Sequence, residues 1–228
     1  MAALKLYFDP MSQPSRAVLL FLKANSIPFI EKQITLRKGE HLTEEFLRIN
    51  PFHKVPVIDD NGFILTESVA ILKYLCGSRH MPEHWYPVDV CRRARVDEFF
   101  GWQHTNLWLP SSLLFRTKYI EPRLKNIPVD LEKLHRAKVS MDQTLDQLEN
   151  VFLRRQDYLC GDDISIADVH AICVLMQADA AGHDLITGRP RVADWIGRVK
   201  LRLQPHFDDV HSTLYAVREK FARTQANL

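Results

Sequence analysis

The apolar pattern of this chain changes character once, and that change bounds the fold. Up to about residue 78, short apolar runs are separated by turn residues, whereas beyond residue 90 the apolar positions recur at helical spacing. LKLYF reads as a strand, SRAVLLFLKANSI as a helix and IPFIEKQI as a second strand, a βαβ start that requires a parallel pair. VPVID and FILTE flank the turn at Asp60 to Gly62 and read as a hairpin. SVAILKYLC then reads as a helix whose apolar stripe faces that sheet.

Strand, helix, strand, hairpin and helix is the order of a thioredoxin-like α/β domain, although alternation alone also permits other small α/β folds. Residues 79–90, with two prolines and several aromatics but no period, read as a packed linker. Residues 91–119, 130–155, 166–181, 190–203 and 207–224 read as helices. The expected organisation is a thioredoxin-like unit over 1–79, a linker over 80–90 and an all-α bundle over 91–228. Pro110, inside the first of these helices, removes an amide donor and crowds the preceding turn, so a kink is expected there.

A length of 228 residues, 46% of them hydrophobic, is enough to bury a full core. Thirty basic residues against 28 acidic leave a formal charge of +2 with no long run of one sign, which argues against a nucleic-acid partner. Cys76, Cys91, Cys160 and Cys173 form neither a CxxC nor a zinc-like pair and are expected to be buried, reduced thiols. The histidines lack metal spacing, so no metal site is expected. The start MAALKLYFDP breaks too early for a secretion signal, and no run approaches the ~18 apolar residues of a membrane span. A soluble protein of a reducing compartment, the cytosol, is the expectation.

The most informative segment is SQPS, Ser12 to Ser15, at the first strand-to-helix junction. In a thioredoxin-like fold a redox enzyme keeps its CxxC here, because the helix N-terminus stabilises a thiolate. Serine at both positions excludes disulfide exchange by this pair. The same dipole and a hydroxyl donor can hold a ligand's thiolate instead. A hydrogen bond to a charged acceptor is worth roughly 1.5–3 kcal/mol, or about 1–2 pKa units, which takes a thiol from near 8.5 to roughly 6.5–7.5. The alternative is that Ser12 only caps the helix.

Further along, KVP at Lys54 to Pro56 precedes a strand. A cis Val55-Pro56 bond would turn the Val55 amide and carbonyl outward to pair with an extended peptide, whereas a trans proline would merely begin an edge strand. Glu67 and Ser68 follow Thr66 at a helix start, where free amides and Ser68 suit a carboxylate and Glu67 suits an ammonium group. TES is also a routine helix start. His41 and Lys54 offer donors for a second carboxylate, and each alone reads equally as a solvated surface residue. Together these positions describe a ligand with an amino-acid end, a central thiol, an extended backbone and a terminal carboxylate, a description that glutathione fits. In GDDISIADV, Ser165 stands three residues before Asp168 as a capping box, with Ile164 as its hydrophobic staple. The aromatics Trp102 and Trp108 read as core or pocket wall.

SQPSRAV from Ser12, KGEHL from Lys38, NPFHKVPVI from Asn50, LTESVAILKYL from Leu65, HWYPVD from His84, RARVDEFFGWQH from Arg93 and GDDISIADV from Gly161, in this order, resemble the theta class of cytosolic glutathione transferases. The resemblance runs from Leu4 to about Leu214. It implies that Ser12 stabilises the thiolate, that His41 and Lys54 hold the glycine carboxylate, and that Val55, before a cis Pro56, pairs with the cysteine backbone. Glu67 and Ser68 would hold the γ-glutamyl end. It also implies a detoxifying transferase acting on small electrophiles with glutathione as co-substrate and no further cofactor, an organic-hydroperoxide activity, and a homodimer. A non-catalytic binding or scaffold protein on the same fold is the rival, and the retained Ser12 hydroxyl argues against it.

Three departures from that pattern stand out. Trp108 replaces an arginine carried by some theta relatives, and Pro110 bends the helix lining the electrophile site. The chain stops at Leu228, without the extra covering helix of the most similar relatives. An open groove walled by the kinked helix around Leu107 to Leu114 and by the start of the N-terminal unit is the expectation, unless the tail from Phe221 to Leu228 folds back over it.

Overall fold

The computed structural model describes residues 4–226, with side chains to Lys220. The expected fold-back of Phe221 to Leu228 lies outside the described side chains. Strands β1 (Leu4–Phe8), β2 (Phe29–Gln33), β3 (Val57–Asp60) and β4 (Phe63–Thr66) form one sheet in the order β2-β1-β3-β4. β1 runs parallel to β2, with Leu4 opposite Phe29, and antiparallel to β3, with Leu6 opposite Ile58. The β3-β4 hairpin turns through Asn61 and Gly62 at φ 58° and 92°, the left-handed conformations a two-residue hairpin turn needs. The Asp59 carboxylate accepts the Gly62 amide at 2.8 Å and closes that turn.

Helix α1 (Gln13–Ala24) lies on one face of the sheet, and α3 (Ser68–Ser78) follows the hairpin. Every residue from Ser15 to Leu22 is buried, because α1 is covered on both sides, by the sheet and by the helical bundle. The sequence pattern assigns no element to residues 35–54, and the expected strand VPVID begins only at Val57. Residues 35–54 form two single 3-10 turns, Leu36–Lys38 and Glu40–Leu42, and a short helix α2 (Glu44–Leu47), whose Phe46 packs with Val55 and Val57.

The bundle begins with α4 (Val90–Gln103) and continues without a break through α5 (Leu109–Phe115) and α6 (Glu121–Lys125). Two wide π turns, His104–Trp108 and Arg116–Ile120, join the three segments. The helix thus extends past the expected end at 119, and the disturbance expected at Pro110 takes the form of a π turn. Pro110 and Pro122 each occupy the second position of the segment after such a turn. Proline has no amide for the carbonyl four residues back. For Pro110 that carbonyl belongs to Asn106, and the Thr144 hydroxyl donates to it instead.

Helix α7 (Leu131–Gln147) ends in a third π turn, Leu148–Phe152, slightly short of the expected 155. Next come α8 (Ile166–Ala180), α9 (Pro190–Arg202) and α10 (His206–Ala226). α8 is buried on nearly all sides and forms the axis of the bundle. Its start carries the capping box: Ser165 Oγ accepts the Ala167 amide at 3.2 Å, and the Asp168 carboxylate accepts the Ser165 amide at 2.8 Å. One continuous core joins Leu6, Phe21 and Leu72 to Phe99, Ile172 and Trp195. Between α3 and α4, Trp85 is buried against Phe21, and its carbonyl accepts the Ile166 amide at 3.0 Å.

Not all the thiols are buried as expected. Cys76 and Cys173 are, and burial pushes both thiols up to about 12. Cys91 is exposed and Cys160 intermediate. Cys91 lies on the outward face of the first turn of α4, which buries its inner face only from Val96.

Candidate active site

A cleft of about 510 Å³ opens where α1, the loop before β3 and the β4-α3 junction meet the bundle. Ser12, His41, Lys54, Val55, Glu67 and Ser68 all line it. Segments distant in sequence meet there because the sheet order sets the ends of β1 and β3 side by side.

Ser12 is the N-cap of α1, with φ −82° and ψ 120°. Its amide donates to the Asp9 carbonyl at 3.0 Å, and its Oγ accepts the Ser15 amide at 3.4 Å. The turn ahead of it is pinned by Asp9, whose buried carboxylate accepts the Met11 and Leu36 amides at 2.7 and 2.8 Å. One Ser12 lone pair is therefore engaged by the helix, which leaves the hydroxyl proton to donate into the cleft. The α1 dipole adds positive potential at the same point.

The Val55-Pro56 bond is cis. Among the described residues, the Val55 amide and carbonyl have no hydrogen-bond partner. Asn50, 1% exposed, shapes this turn: its Nδ2 donates to the Lys54 carbonyl at 2.7 Å and its Oδ1 accepts the Phe52 amide at 3.0 Å. The Lys54 side chain is exposed at the rim. His41 sits on the second 3-10 turn, with a buried Nδ1 that has no partner among the described residues.

Glu67 caps α3 at φ 65° and ψ 110°, a backbone conformation that is costly for any residue with a Cβ and is kept where function or packing demands it. Its side chain is exposed to the cleft. Ser68, the first residue of α3, is 8% exposed, and its Oγ lies 3.2 Å from Nε2 of His170 on α8.

The bundle supplies the opposite wall. His104, Trp108, Ser112 and Phe115 face the cleft at helical spacing, with Arg116 beside them. His104 and Trp108 stack at 5.4 Å with planes 5° apart. The segment from Leu107 to Leu114 thus reaches the cleft through Trp108 and Ser112, while Leu107 and Leu114 themselves are buried in the core at 0% and 1% exposure. They fall on the opposite side of the helix from Trp108 and Ser112. Arg116, two turns beyond Trp108, puts a guanidinium on the face where Trp108 has none.

Three contributors had escaped the sequence reading: Arg16, Asn50 and His170. Arg16 is fully buried and has no carboxylate within ion-pair distance among the described residues. Its guanidinium donates to the Pro10 carbonyl at 2.9 Å, the Cys173 carbonyl at 3.0 Å and Gln177 Oε1 at 2.8 Å, so it ties the loop before Ser12 to α8. Burial lowers the guanidinium to about 10, which leaves it charged at neutral pH. A lone histidine in the otherwise apolar run VHAICVL was the available signal for His170.

Comparison with known proteins agrees over most of the chain. The family model "Glutathione S-transferase, N-terminal domain" matches residues 2–77, and "Glutathione S-transferase, C-terminal domain" matches residues 113–198. Glutathione S-transferase theta-1 of Rattus norvegicus is 42% identical over 217 residues, 95% of this chain and 90% of the relative. Glutathione S-transferase theta-2 of Homo sapiens is 41% identical over 221 residues, 96% and 90% of the two chains. Human glutathione-S-transferase T1-1 in its apo form superposes with a TM-score of 0.91 at 40% identity, covering 95% of this chain and 91% of that one. A human theta-class glutathione transferase in complex with the glutathione conjugate of 1-menaphthyl sulfate gives a TM-score of 0.93 at 40% identity, over 98% and 92% of the chains.

Proposed function

The chain belongs to the theta class of the glutathione S-transferases, and from that premise we propose that the Ser12 hydroxyl is the group that stabilises the glutathione thiolate. The protein is a glutathione transferase. The reading proposed here is how its residues divide the work. One observation carries it: the Ser12 hydroxyl caps α1, has a lone pair engaged by the Ser15 amide, and lines the cleft with its proton uncommitted.

On this reading glutathione lies extended along the thioredoxin-like unit, residues 1–79, which residues 80–90 link to the helical unit, 91–228. Glu67 takes the γ-glutamyl ammonium, while Ser68 and the free amides of α3 take its carboxylate. Val55 pairs with the cysteine backbone, and His41 and Lys54 hold the glycine carboxylate. These contacts fix the sulfur near Ser12, where the hydroxyl and the α1 dipole favour the ionised form.

The electrophile occupies the wall made by His104, Trp108, Ser112, Phe115 and Arg116. The thiolate attacks its electrophilic carbon, the new S–C bond forms, and the leaving group departs with its electron pair. That a relative 40% identical holds a glutathione conjugate supports a cleft able to take both halves of such a product. With an organic hydroperoxide the same thiolate would attack oxygen and release the alcohol. The resulting glutathione sulfenic acid would react with a second glutathione to give disulfide and water. A homodimer working in the cytosol completes the proposal, and no helix among the described residues is long and apolar enough to cross a membrane.

Steady-state kinetics of Ser12→Ala over a panel of electrophiles and hydroperoxides tests it. The variant should keep its glutathione KM and lose most of its kcat, because the hydroxyl serves chiefly the ionised sulfur. Unchanged turnover across the panel would remove Ser12 from the mechanism.

A further inference from the structure

The Ser68 hydroxyl is not free in the folded chain. It meets the His170 ring of α8 at 3.2 Å, and both residues are buried, at 8% and 2% exposure. Phe100 packs edge-on against that ring at 5.8 Å, and the ring's other nitrogen, Nδ1, is buried without a partner among the described residues. Every hydrogen bond the imidazole makes within the protein is thus spent on one hydroxyl at the rim of the cleft. A residue that merely filled the core here would be apolar, as its neighbours Ala171, Ile172, Val174 and Leu175 are.

Burial, with the His104 ring as the nearby like-charged group, keeps the His170 imidazole neutral down to about 4. A neutral ring carries one N–H, and there are two ways to place it. With the proton on Nδ1, a buried donor is orphaned and the Ser68 proton is consumed by Nε2. With the proton on Nε2, only a lone pair at Nδ1 is left unserved, and Ser68 keeps its O–H for the cleft. Orphaned buried N–H groups are the rarer condition, so the second arrangement is favoured.

We propose that His170 is a positioning residue for the γ-glutamyl subsite: its Nε2–H donates to Ser68 Oγ and so fixes Ser68 as a donor to the ligand carboxylate. The inference rests on the reading of Ser68 given above, and it places control of glutathione affinity in α8, a helix of the bundle whose His170 borders the cleft. His170 acts through Ser68 and takes no part in the chemistry at sulfur.

The test is a double-mutant cycle on the full chain, read with glutathione and with cysteinylglycine, the dipeptide that lacks the γ-glutamyl residue. His170→Leu should raise the glutathione KM roughly threefold to tenfold, while kcat at saturation and kcat/KM for cysteinylglycine stay within about twofold. His170→Gln, which restores an N–H donor, should recover most of the loss. In a Ser68→Ala background, His170→Leu should add nothing, since the residue it positions is gone. An unchanged glutathione KM in His170→Leu, beside a raised one in Ser68→Ala, would overturn the role of His170 alone. Equal losses with both thiols would show a core-filling residue and overturn it as well. An unchanged KM in Ser68→Ala would remove the subsite reading, and the role of His170 with it.

Discussion

Asp168→Asn is a change of one atom type at full burial, and the structure sets its cost. The Asp168 carboxylate is 0% exposed and uses both oxygens as acceptors. Oδ1 takes the Leu159 amide at 2.9 Å and Trp195 Nε1 at 2.8 Å, and Oδ2 takes the Ser165 amide at 2.8 Å and the Ser165 hydroxyl at 2.9 Å. All four partners are donors. An asparagine satisfies one pair and turns an NH2 group towards the other. Two lost hydrogen bonds to a charged acceptor cost about 3–6 kcal/mol, and the two that remain become neutral and weaken by about 1 kcal/mol each. Against this, burial pushes the Asp168 carboxyl up, so removing the charge returns several kcal/mol of desolvation. The net destabilisation should be about 3–5 kcal/mol, seen as a fall in Tm of roughly 6–20 °C for a chain of this size. Urea unfolding followed by tryptophan fluorescence measures it, with Ser165→Ala as a companion expected to cost about 1 kcal/mol. A loss below about 1 kcal/mol for Asp168→Asn would mean that the four hydrogen bonds do no more than offset the burial of the charge, and the argument would fail.

Acid should weaken the fold from about pH 6.5 downwards, because burial lowers His170 to about 4 and His211 to about 3. Unfolded histidine binds its proton near 6.5, so stability is fully present above that pH and falls as pH drops towards the folded values, by up to about 1.4 kcal/mol per unit for each ring. Urea titrations at pH 7, 6 and 5 should show the decline, with a shallower slope in His211→Gln; equal stability at all three would refute it. Lys54→Ala should raise the glutathione KM with kcat retained, since the carboxylate it is proposed to hold is unchanged in the transition state; a fall in kcat at saturating glutathione would contradict that assignment. Thr144→Val leaves the Asn106 carbonyl without its donor and should cost about 1–3 kcal/mol. The cost should shrink in a Pro110→Ala background, where an amide is restored, and equal costs in both backgrounds would contradict the account of the π turn.

Local rules made much of this fold readable. The period-2 and helical-period runs located β1, α1, β2, the hairpin and α3, because each buries one face against a common core. The capping box at Ser165 and Asp168 was legible for the same reason, since both partners lie within one helical turn. Residues 35–54 were not, because their two 3-10 turns and short α2 are too brief to set a period. Pro110 read as an interruption, and only the neighbouring π turn and the distant Thr144 show how the helix continues past it.

The candidate site was legible to the extent that it lies at element ends. Ser12, Lys54, Val55, Glu67 and Ser68 all stand at strand or helix boundaries, where turn chemistry singles residues out. Arg16 and His170 stand inside helices, and their significance depends on partners 157 to 161 and 102 residues away in sequence. Nothing local in a one-dimensional pattern carries such a pairing. Cys91 was misjudged for a related reason, since its helix buries only one side.

The central claim is that one hydroxyl, held at the N-terminus of α1, brings the glutathione thiol close to neutral ionisation. It is tested most directly by titrating the thiolate absorbance of bound glutathione in the ultraviolet, for the native protein and for Ser12→Ala. The native complex should ionise near pH 6.5–7.5 and the variant about 1–2 units higher, towards the free thiol. Coincident titration curves, with glutathione bound equally by both proteins, would contradict the account.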